Sequence, residues 1–407
     1  MGESAVKQES VERLKRLLGF LERDPRNLQL VSDAAETALA AGDAVQAKQL
    51  IQRGLELAGG DNTGARFGFG NLLLAAHDYP AARALFDEMT AVMDHPAVRY
   101  NLAYAQFAEG MAVEALETLR QIPESQRTEL PQYDLLLGKS LYYSLHYEMA
   151  LEPLDRYLQK APDDREGLAL KAMVLFDAGQ SVAAAALAKR VLGAFPDDLL
   201  AHLVLGSIAL HENDPVSARA HLQQVVTLQP ENGRAWSGLA FTDLRETKLV
   251  DARDHFVTAV RYMPNHLGTW HGLAWTQLLL GDLEAARAAA TSAMELDRTF
   301  SENHGTLAVI LIMDGRLDDA EQAIKRGLRL NPQSAASLYA RGLLLGARGD
   351  AESGKKLIER IYVGAGMQKD AVRIAEALIQ FRPGMGQVPV PVVERKAGGP
   401  SRKPRKK

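Results

Sequence analysis

The residues that could carry out chemistry are scattered along this 407-residue chain. Among its ten histidines, His266 and His271 are close in sequence, but a predicted turn separates them and no cysteine or carboxylate pair stands beside them. A metal site needs several convergent ligands. His202 and His304 take a position of an apolar pattern, so we expect both to be core side chains.

Carboxylate pairs are the other candidates for chemistry. Asp163-Asp164 and Asp318-Asp319 fall at predicted turns and helix starts, where capping of backbone N–H groups explains them. No glycine-rich phosphate loop or nucleophile elbow occurs. The absence of cysteine excludes disulfides, thiolate metal ligands and cysteine nucleophiles. The sequence therefore predicts a protein that is not an enzyme and that has no cofactor, no metal and no small-molecule substrate.

The elements that position these residues recur every 34 residues. An alanine marks the period at Ala150, Ala184, Ala218, Ala252, Ala286 and Ala320. A proline follows twelve positions after most of them, at Pro162, Pro196, Pro230, Pro264 and Pro332. A fixed period of this length indicates stacked repeats, each built from one small structural unit.

A third pattern shows that each unit is a pair of helices. A bulky residue precedes a leucine by three positions and a small residue by four, as in Trp236…Leu239-Ala240. These spacings place apolar side chains on one face of a first helix. The recurrent alanine lies in a second helix, and glycines such as Gly179 and Gly281 mark the turn between the two helices.

These residues resemble the tetratricopeptide repeat, whose pattern of Trp, Leu-Gly, Tyr, Ala, Phe, Ala and Pro spans 34 residues. The resemblance is specific from about Pro131 to Ile361 and continues more weakly upstream through Ala47, Ala82 and Ala115. It implies an all-α fold, a right-handed superhelical α-solenoid of about ten helix-turn-helix repeats with capping helices.

The repeats and caps account for most of the chain and leave no room for a catalytic domain. We predict a disordered N-terminus over residues 1–10, a solenoid over 11–382 and a disordered tail over 383–407. Residues 11–24 would cap the start of the solenoid and residues 370–381 its end. The tail contains extended Val-Pro repeats and is basic through Arg395, Lys396, Arg402, Lys403, Arg405, Lys406 and Lys407.

The resemblance also implies an inner groove, lined by the first helices, that binds partner peptides. A second stripe of these helices supplies the candidate lining. Its apolar members are Phe67, Tyr100, Tyr104, Phe107, Tyr142, Tyr143, Met173, Phe176, Leu203, Phe241, Trp275, Val309, Met313, Tyr339 and Leu343. Its polar members are Asn71, Asn101, Lys139, Arg234, Arg245 and His271.

Any one of these aromatic residues could equally pack between neighbouring first helices. Fifteen large apolar groups nevertheless exceed what a soluble monomer usually leaves exposed, so we predict an apolar, aromatic concave groove for an amphipathic segment of a partner. We expect the anchors to be Trp275, Phe241, Tyr142 and Tyr143. We expect an acidic stretch of the ligand to be attracted by Lys139, Arg234 and Arg245.

The leading functional expectation is a scaffold or adapter that binds one or more proteins or peptide segments during assembly of a multiprotein complex. The alternative is a nucleic-acid-associated factor that contacts proteins with the solenoid and phosphates, or an anionic surface, with the basic tail only. A regulatory subunit of an enzyme is a third possibility. The N-terminus lacks the apolar run of a signal peptide, and no stretch reaches membrane-spanning length, which predicts a cytoplasmic protein.

Overall fold

The computed structural model describes residues 3–364, and it describes side chains over residues 7–361. The predicted final cap, residues 370–381, and the basic tail, residues 383–407, lie outside the described residues. The described part of the chain contains 22 α-helices and no strand. It divides into two compact units, an N-terminal unit that ends at Phe195 and a C-terminal unit that begins at Pro196.

The N-terminal unit consists of a single helix, α1 (Glu3–Arg23), followed by five helical pairs. The pairs are α2 (Leu28–Ala41) with α3 (Ala44–Ala58), α4 (Thr63–Ala75) with α5 (Tyr79–Val92), α6 (Pro96–Ala108) with α7 (Ala112–Arg120), α9 (Tyr133–Tyr143) with α10 (Tyr147–Lys160), and α11 (Arg165–Asp177) with α12 (Ser181–Ala194). A short helix, α8 (Glu124–Arg127), connects the third pair to the fourth.

Helix α1 differs from the prediction at its start. Residues 3–10 are helical, whereas the sequence analysis expected disorder up to residue 10. This segment has no glycine or proline and is rich in helix formers such as Ala5, Lys7 and Glu9, so the helix continues back to Glu3.

The C-terminal unit consists of five further pairs. They are α13 (Leu199–His211) with α14 (Pro215–Leu228), α15 (Gly233–Arg245) with α16 (Leu249–Tyr262), α17 (Leu267–Leu280) with α18 (Leu283–Leu296), α19 (Ser301–Met313) with α20 (Leu317–Leu330), and α21 (Ala335–Ala347) with α22 (Ala351–Gly364). The described residues thus confirm an all-α repeat solenoid of ten helical pairs. None of the described helices combines the length and the apolar character that a bilayer span requires.

The small residues of the repeat lie where two helices approach most closely. All six recurrent alanines are completely buried. A Cβ atom on Gly206 would lie 2.8 Å from Cγ of Leu222, across the interface between α13 and α14. Larger side chains at these positions would separate the two helices of a pair.

In four of the first helices, the bulky residue of the repeat is held by a hydrogen bond from its ring. Nε1 of Trp236 donates to the carbonyl oxygen of Pro230 at 2.7 Å, and Nε1 of Trp270 donates to that of Pro264 at 2.6 Å. In the two repeats with histidine, Nε2 lies 2.9 Å from the equivalent carbonyl oxygens, those of Pro196 for His202 and Arg298 for His304. A carbonyl can only accept, so Nε2 of each histidine carries the hydrogen.

The turn inside each pair uses one residue with left-handed backbone geometry. All ten turns have a positive φ at the same repeat position, which is glycine in six of them. The other four are His77, Leu145, Asn213 and Thr247, with φ values of 56°, 63°, 61° and 59°. Asparagine tolerates this conformation, whereas leucine and threonine are strained in it.

Candidate functional site

Part of the predicted groove lining is buried. Met173, Met313 and Tyr339 are only 1%, 3% and 7% exposed, and Leu203, Val309 and Leu343 are also buried. These residues pack between helices and are not available to a partner, which corrects the expectation that they line an open groove.

The direct packing of α19 on α21 explains this burial in the last two pairs. A Cβ atom on Gly305 would lie 2.3 Å from the backbone of Ala336, and Oγ of Ser337 donates to the carbonyl oxygen of Ser301 at 3.3 Å. The carboxylate of Glu302 also accepts hydrogen bonds from the first N–H groups of α21, those of Ala335 at 3.1 Å and Ala336 at 2.8 Å. First helices that lie this close leave no channel between them.

The other predicted residues of the C-terminal unit are occupied by internal contacts. Phe241 packs edge to face on Phe256 with ring centroids 5.0 Å apart, and Trp275 lies 5.8 Å from the ring of Tyr339. Both Phe241 and Trp275 are half-buried against the core. Their contacts are those of packing residues and not of the free anchors that the sequence analysis expected.

The polar members of this stripe are engaged as well. Nη1 of Arg245 donates to Oδ1 of Asn213 at 2.6 Å. Burial lowers the pKa of His271, although the charge of Glu302 opposes the shift. Burial also lowers the pKa of His266, and the positive charge of the nearby Arg234 adds to the effect.

Three of the predicted aromatic residues of the N-terminal unit lie in one cluster, together with Tyr147, which was not predicted. We call Phe107, Tyr142, Tyr143 and Tyr147 the aromatic cluster. The ring of Tyr143 lies 5.5 Å from that of Phe107 and 5.1 Å from that of Tyr142, and Tyr142 lies 5.6 Å from Tyr147. Each distance is within the range of favourable ring contacts. Because Phe107 lies on α6 and the others on the next pair, the cluster joins two repeats.

One ring of the aromatic cluster is largely exposed. The side chain of Tyr143 is 61% exposed, while Phe107, Tyr142 and Tyr147 are half-buried around it. The hydroxyl of Tyr142 donates to Oδ2 of Asp177 at 2.7 Å, which connects the cluster to α11 in the next repeat. Tyr104, one helical turn before Phe107, is also exposed.

The remaining predicted residues of the N-terminal unit are half-buried or paired. Phe67 contacts Phe86 at a ring distance of 6.0 Å, and Phe176 is half-buried. Burial, with a smaller contribution from Tyr104, raises the pKa of Tyr100. Nδ2 of Asn101 donates to Oδ1 of Asn71 at 2.6 Å.

Lys139 forms an ion pair with Glu166, so its charge is already compensated. Lys139 therefore has no uncompensated positive charge with which to attract the acidic ligand that the sequence predicted.

Several exposed apolar residues at the turns of α6–α7, α9–α10 and α11–α12 were not predicted from the sequence. Leu145, in the turn between α9 and α10, is 73% exposed, and Met149, near the start of α10, is 54% exposed. Val113 and Val182 are exposed near the starts of α7 and α12. The signal was present at Leu145, because this leucine occupies the turn position that six other repeats fill with glycine.

The densest group of titratable residues connects α14, α15 and α16 through hydrogen bonds and ion pairs. Oδ1 of the buried Asp243 accepts a hydrogen bond from Arg219 at 2.8 Å, and its Oδ2 lies 2.6 Å from Nδ1 of His255. Arg219 also pairs with Glu246 at 2.5 Å. Among the side chains described over residues 7–361, no three histidines, aspartates or glutamates are grouped so that they could hold a metal ion.

Comparisons with known proteins agree with the helical pairs. One family model described as tetratricopeptide repeat matches residues 73–139 and 278–342, and a second with the same description matches residues 135–198 and 170–233. No curated protein sequence matches the chain.

Solved structures are similar in fold. The Cut9–Hcn1 hetero-tetramer of the APC/C is 14% identical with a TM-score of 0.51, over 92% of this chain and 89% of that chain. The human IFIT1 dimer with m7Gppp-AAAA is 14% identical with a TM-score of 0.55, over 87% of this chain and 90% of that chain. At such identities the likeness concerns the fold alone.

The segments that the family models match together span more than half of the sequence, and they coincide with helical pairs of both units. The chain belongs to the tetratricopeptide repeat family.

Proposed function

We propose that this protein is a non-enzymatic scaffold that binds a segment of a partner protein over the aromatic cluster of its N-terminal unit. In this role it would act as an adapter in the assembly of a multiprotein complex. Stacked helical repeats form extended surfaces that are suited to holding polypeptides, which supports a binding role for the family fold.

The exposure of Tyr143 at the centre of the aromatic cluster is the observation that carries the proposal. A large ring that is 61% exposed gains little for folding, whereas its contacts with Phe107 and Tyr142 hold it in one orientation. A side chain held in this way loses little conformational entropy when a partner covers it. Tyrosine is also among the residue types enriched at binding hot spots.

The densest group of titratable residues in the described part of the chain has a structural role. Arg219 neutralises the buried carboxylate of Asp243 and His255 forms a hydrogen bond with it, so this network has the character of a structural bridge between helices. A cytoplasmic location remains a prediction from the sequence.

Peptide selection tests the proposal without knowledge of the natural partner. Peptides selected from a random phage library on the full-length chain would be synthesised, and their Kd values measured by fluorescence anisotropy. We expect Tyr143→Ala to weaken the best peptides by about 30-fold, which corresponds to a hot spot of about 2 kcal/mol.

The matched control is Tyr262→Ala, which removes a comparably exposed tyrosine from α16 in the C-terminal unit. This variant should bind the selected peptides as the natural chain does. Equal affinity of Tyr143→Ala and the natural chain for every selected peptide would remove the aromatic cluster from the proposal.

A second candidate function adds phosphate contacts through the basic tail. Residues 383–407 contain seven Lys and Arg side chains and one acidic residue, Glu394. Binding of RNA, and separately of anionic vesicles, would be measured with and without these residues at two salt concentrations. Contacts to phosphate should weaken steeply with salt and vanish on deletion. Binding that survives the deletion contradicts this second candidate.

A further inference from the structure

The aromatic cluster continues into an exposed apolar edge. We call the turn edge the surface formed by the internal turns of three consecutive pairs, α6–α7, α9–α10 and α11–α12. It exposes Val113, Leu145, Met149 and Val182, of which Val182 is 88% exposed. Val113 and Val182 occupy the same repeat position, three residues after the turn residue, and Leu145 and Met149 belong to the pair between them. Several exposed apolar side chains on consecutive turns are typical of an interaction surface.

The backbone at Leu145 is strained for the residue it carries. Leu145 has a φ of 63°, in the region that costs an L-residue free energy and that glycine adopts freely. Six of the ten turns have glycine at this position. The protein thus keeps a leucine where both its backbone and its exposure are unfavourable, and strain of this kind accumulates at functional positions.

The unpaired charge of the turn edge is negative, although Glu109 in the α6–α7 turn is compensated by Arg83 of α5. Residues 104–119, 140–155 and 172–188, which contain the three turns, include no lysine or arginine. Glu114, Glu117 and Glu148 are exposed there, and none of the three forms an ion pair within the described residues. In the C-terminal unit, by contrast, basic residues such as Lys248 and Arg316 lie at or beside the equivalent turns.

We infer that the turn edge binds a basic amphipathic segment of a partner protein. The apolar side of this segment covers Leu145 and Met149, and its Lys or Arg side chains face Glu114 and Glu148. The inference rests on the proposed scaffold function and specifies the class of partner. The same negative charge disfavours nucleic acid at this surface, because phosphates would meet carboxylates.

Three synthetic peptides of one design test the charge. They share the same apolar residues and differ only in carrying Lys, Glu or Gln at every polar position, and their binding to the full-length chain is followed by fluorescence anisotropy. We expect the Lys peptide to bind at least about tenfold more tightly than the Glu peptide at low salt. The difference should shrink as added salt screens the exposed charges.

The Leu145→Gly variant separates binding from folding. Glycine suits the left-handed turn, so the Tm should stay unchanged or rise. Affinity for the Lys peptide should nevertheless fall by at least about tenfold, because the exposed leucine is lost. Thr247→Gly is the matched control. It relieves the same backbone strain at the equivalent turn of the C-terminal unit and should not change binding.

The charge-reversed variant Glu114→Lys/Glu148→Lys should prefer the Glu peptide over the Lys peptide. Equal binding of the Lys and Glu peptides by the natural chain, or full affinity of Leu145→Gly, overturns the inference. Suppose that the Gln peptide binds as tightly as the Lys peptide and that Tyr143→Ala abolishes this binding. The proposed scaffold function would then hold, but the partner segment would not need to be basic. Peptide binding that is unchanged in Tyr143→Ala would contradict both the proposed scaffold function and the inferred basic partner.

Discussion

Nε1 of Trp236 donates a 2.7 Å hydrogen bond to the carbonyl oxygen of Pro230, six residues earlier in the chain. The bond joins the first helix of a pair to the turn that precedes it, and Trp270, His202 and His304 make the equivalent contact. Tryptophan and histidine can exchange at this position because each carries a ring N–H.

Replacing Trp236 by phenylalanine removes the donor and leaves the Pro230 carbonyl without its ring partner. We expect Trp236→Phe to lower the free energy of unfolding by about 1 kcal/mol beyond the loss from reduced ring size. Urea denaturation measures the change. Trp275→Phe is the control for ring size, since the Trp275 indole makes no hydrogen bond within the described residues. Equal losses in both variants would show that the bond contributes nothing.

Gly305 permits the close contact between α19 and α21. A methyl group there would lie 2.3 Å from the backbone of Ala336, so Gly305→Ala should separate the helices and cost about 3 kcal/mol. Gly346→Ala on α21 is the control, because a Cβ atom there meets nothing within 4 Å. That variant should be stabilised by about 0.5 kcal/mol through helix propensity. Similar stabilities of the two variants in urea would contradict the close contact.

Thr247 carries the same left-handed strain as Leu145, but with a β-branched side chain. Thr247→Gly should raise the free energy of unfolding by about 1 kcal/mol, because glycine adopts a φ of 59° without steric cost. The reverse exchange at the equivalent turn, Gly281→Thr, should lower it by a comparable amount. Thermal unfolding of both variants would show whether Thr247→Gly raises the stability and Gly281→Thr lowers it. A loss of stability in Thr247→Gly would contradict the backbone strain at Thr247.

The ionisation of Asp243 makes the free energy of unfolding depend on pH. Burial opposes ionisation of this carboxylate, but hydrogen bonds from His255 and Arg219 outweigh it and lower the pKa of Asp243 below its ordinary value. Since the pKa is lower in the folded state, the stabilisation is present above the unfolded pKa of about 4 and is lost as the pH falls through the folded value.

The Asp243→Asn variant tests this linkage. Its free energy of unfolding should fall less steeply below about pH 4 than that of the natural chain, as measured by urea denaturation across a pH series. Arg219→Met, which leaves the buried carboxylate without one partner, should cost about 3 kcal/mol at neutral pH. Parallel pH profiles for Asp243→Asn and the natural chain would exclude this role.

The helical pairs could be predicted because each requires a few marker residues at fixed spacing. Ala150 and Ala252 are buried where the period places them, and glycine or leucine occupies the same turn geometry at Gly179 and Leu145. Periodicity specifies which face of a helix a residue occupies. It therefore predicts the fold and the stripe to which a candidate site residue belongs.

The exposure of each stripe residue could not be predicted in the same way. Met313 and Tyr143 occupy the same position of their repeats, yet Met313 is buried and Tyr143 is exposed. The difference depends on the distance between neighbouring first helices, which Gly305 makes short beside α19. That distance is set by contacts with the following repeat, so it cannot be predicted from the sequence of a single 34-residue unit.

The first two N–H groups of α21 donate to the carboxylate of Glu302 on α19, so the last two pairs are joined by hydrogen bonds between their first helices. Unravelling of the C-terminal unit from its far end would have to break this contact before α19 is released. The amide hydrogens of residues 301–313 should consequently be among the slowest of the unit to exchange with solvent, and proteases should spare this stretch.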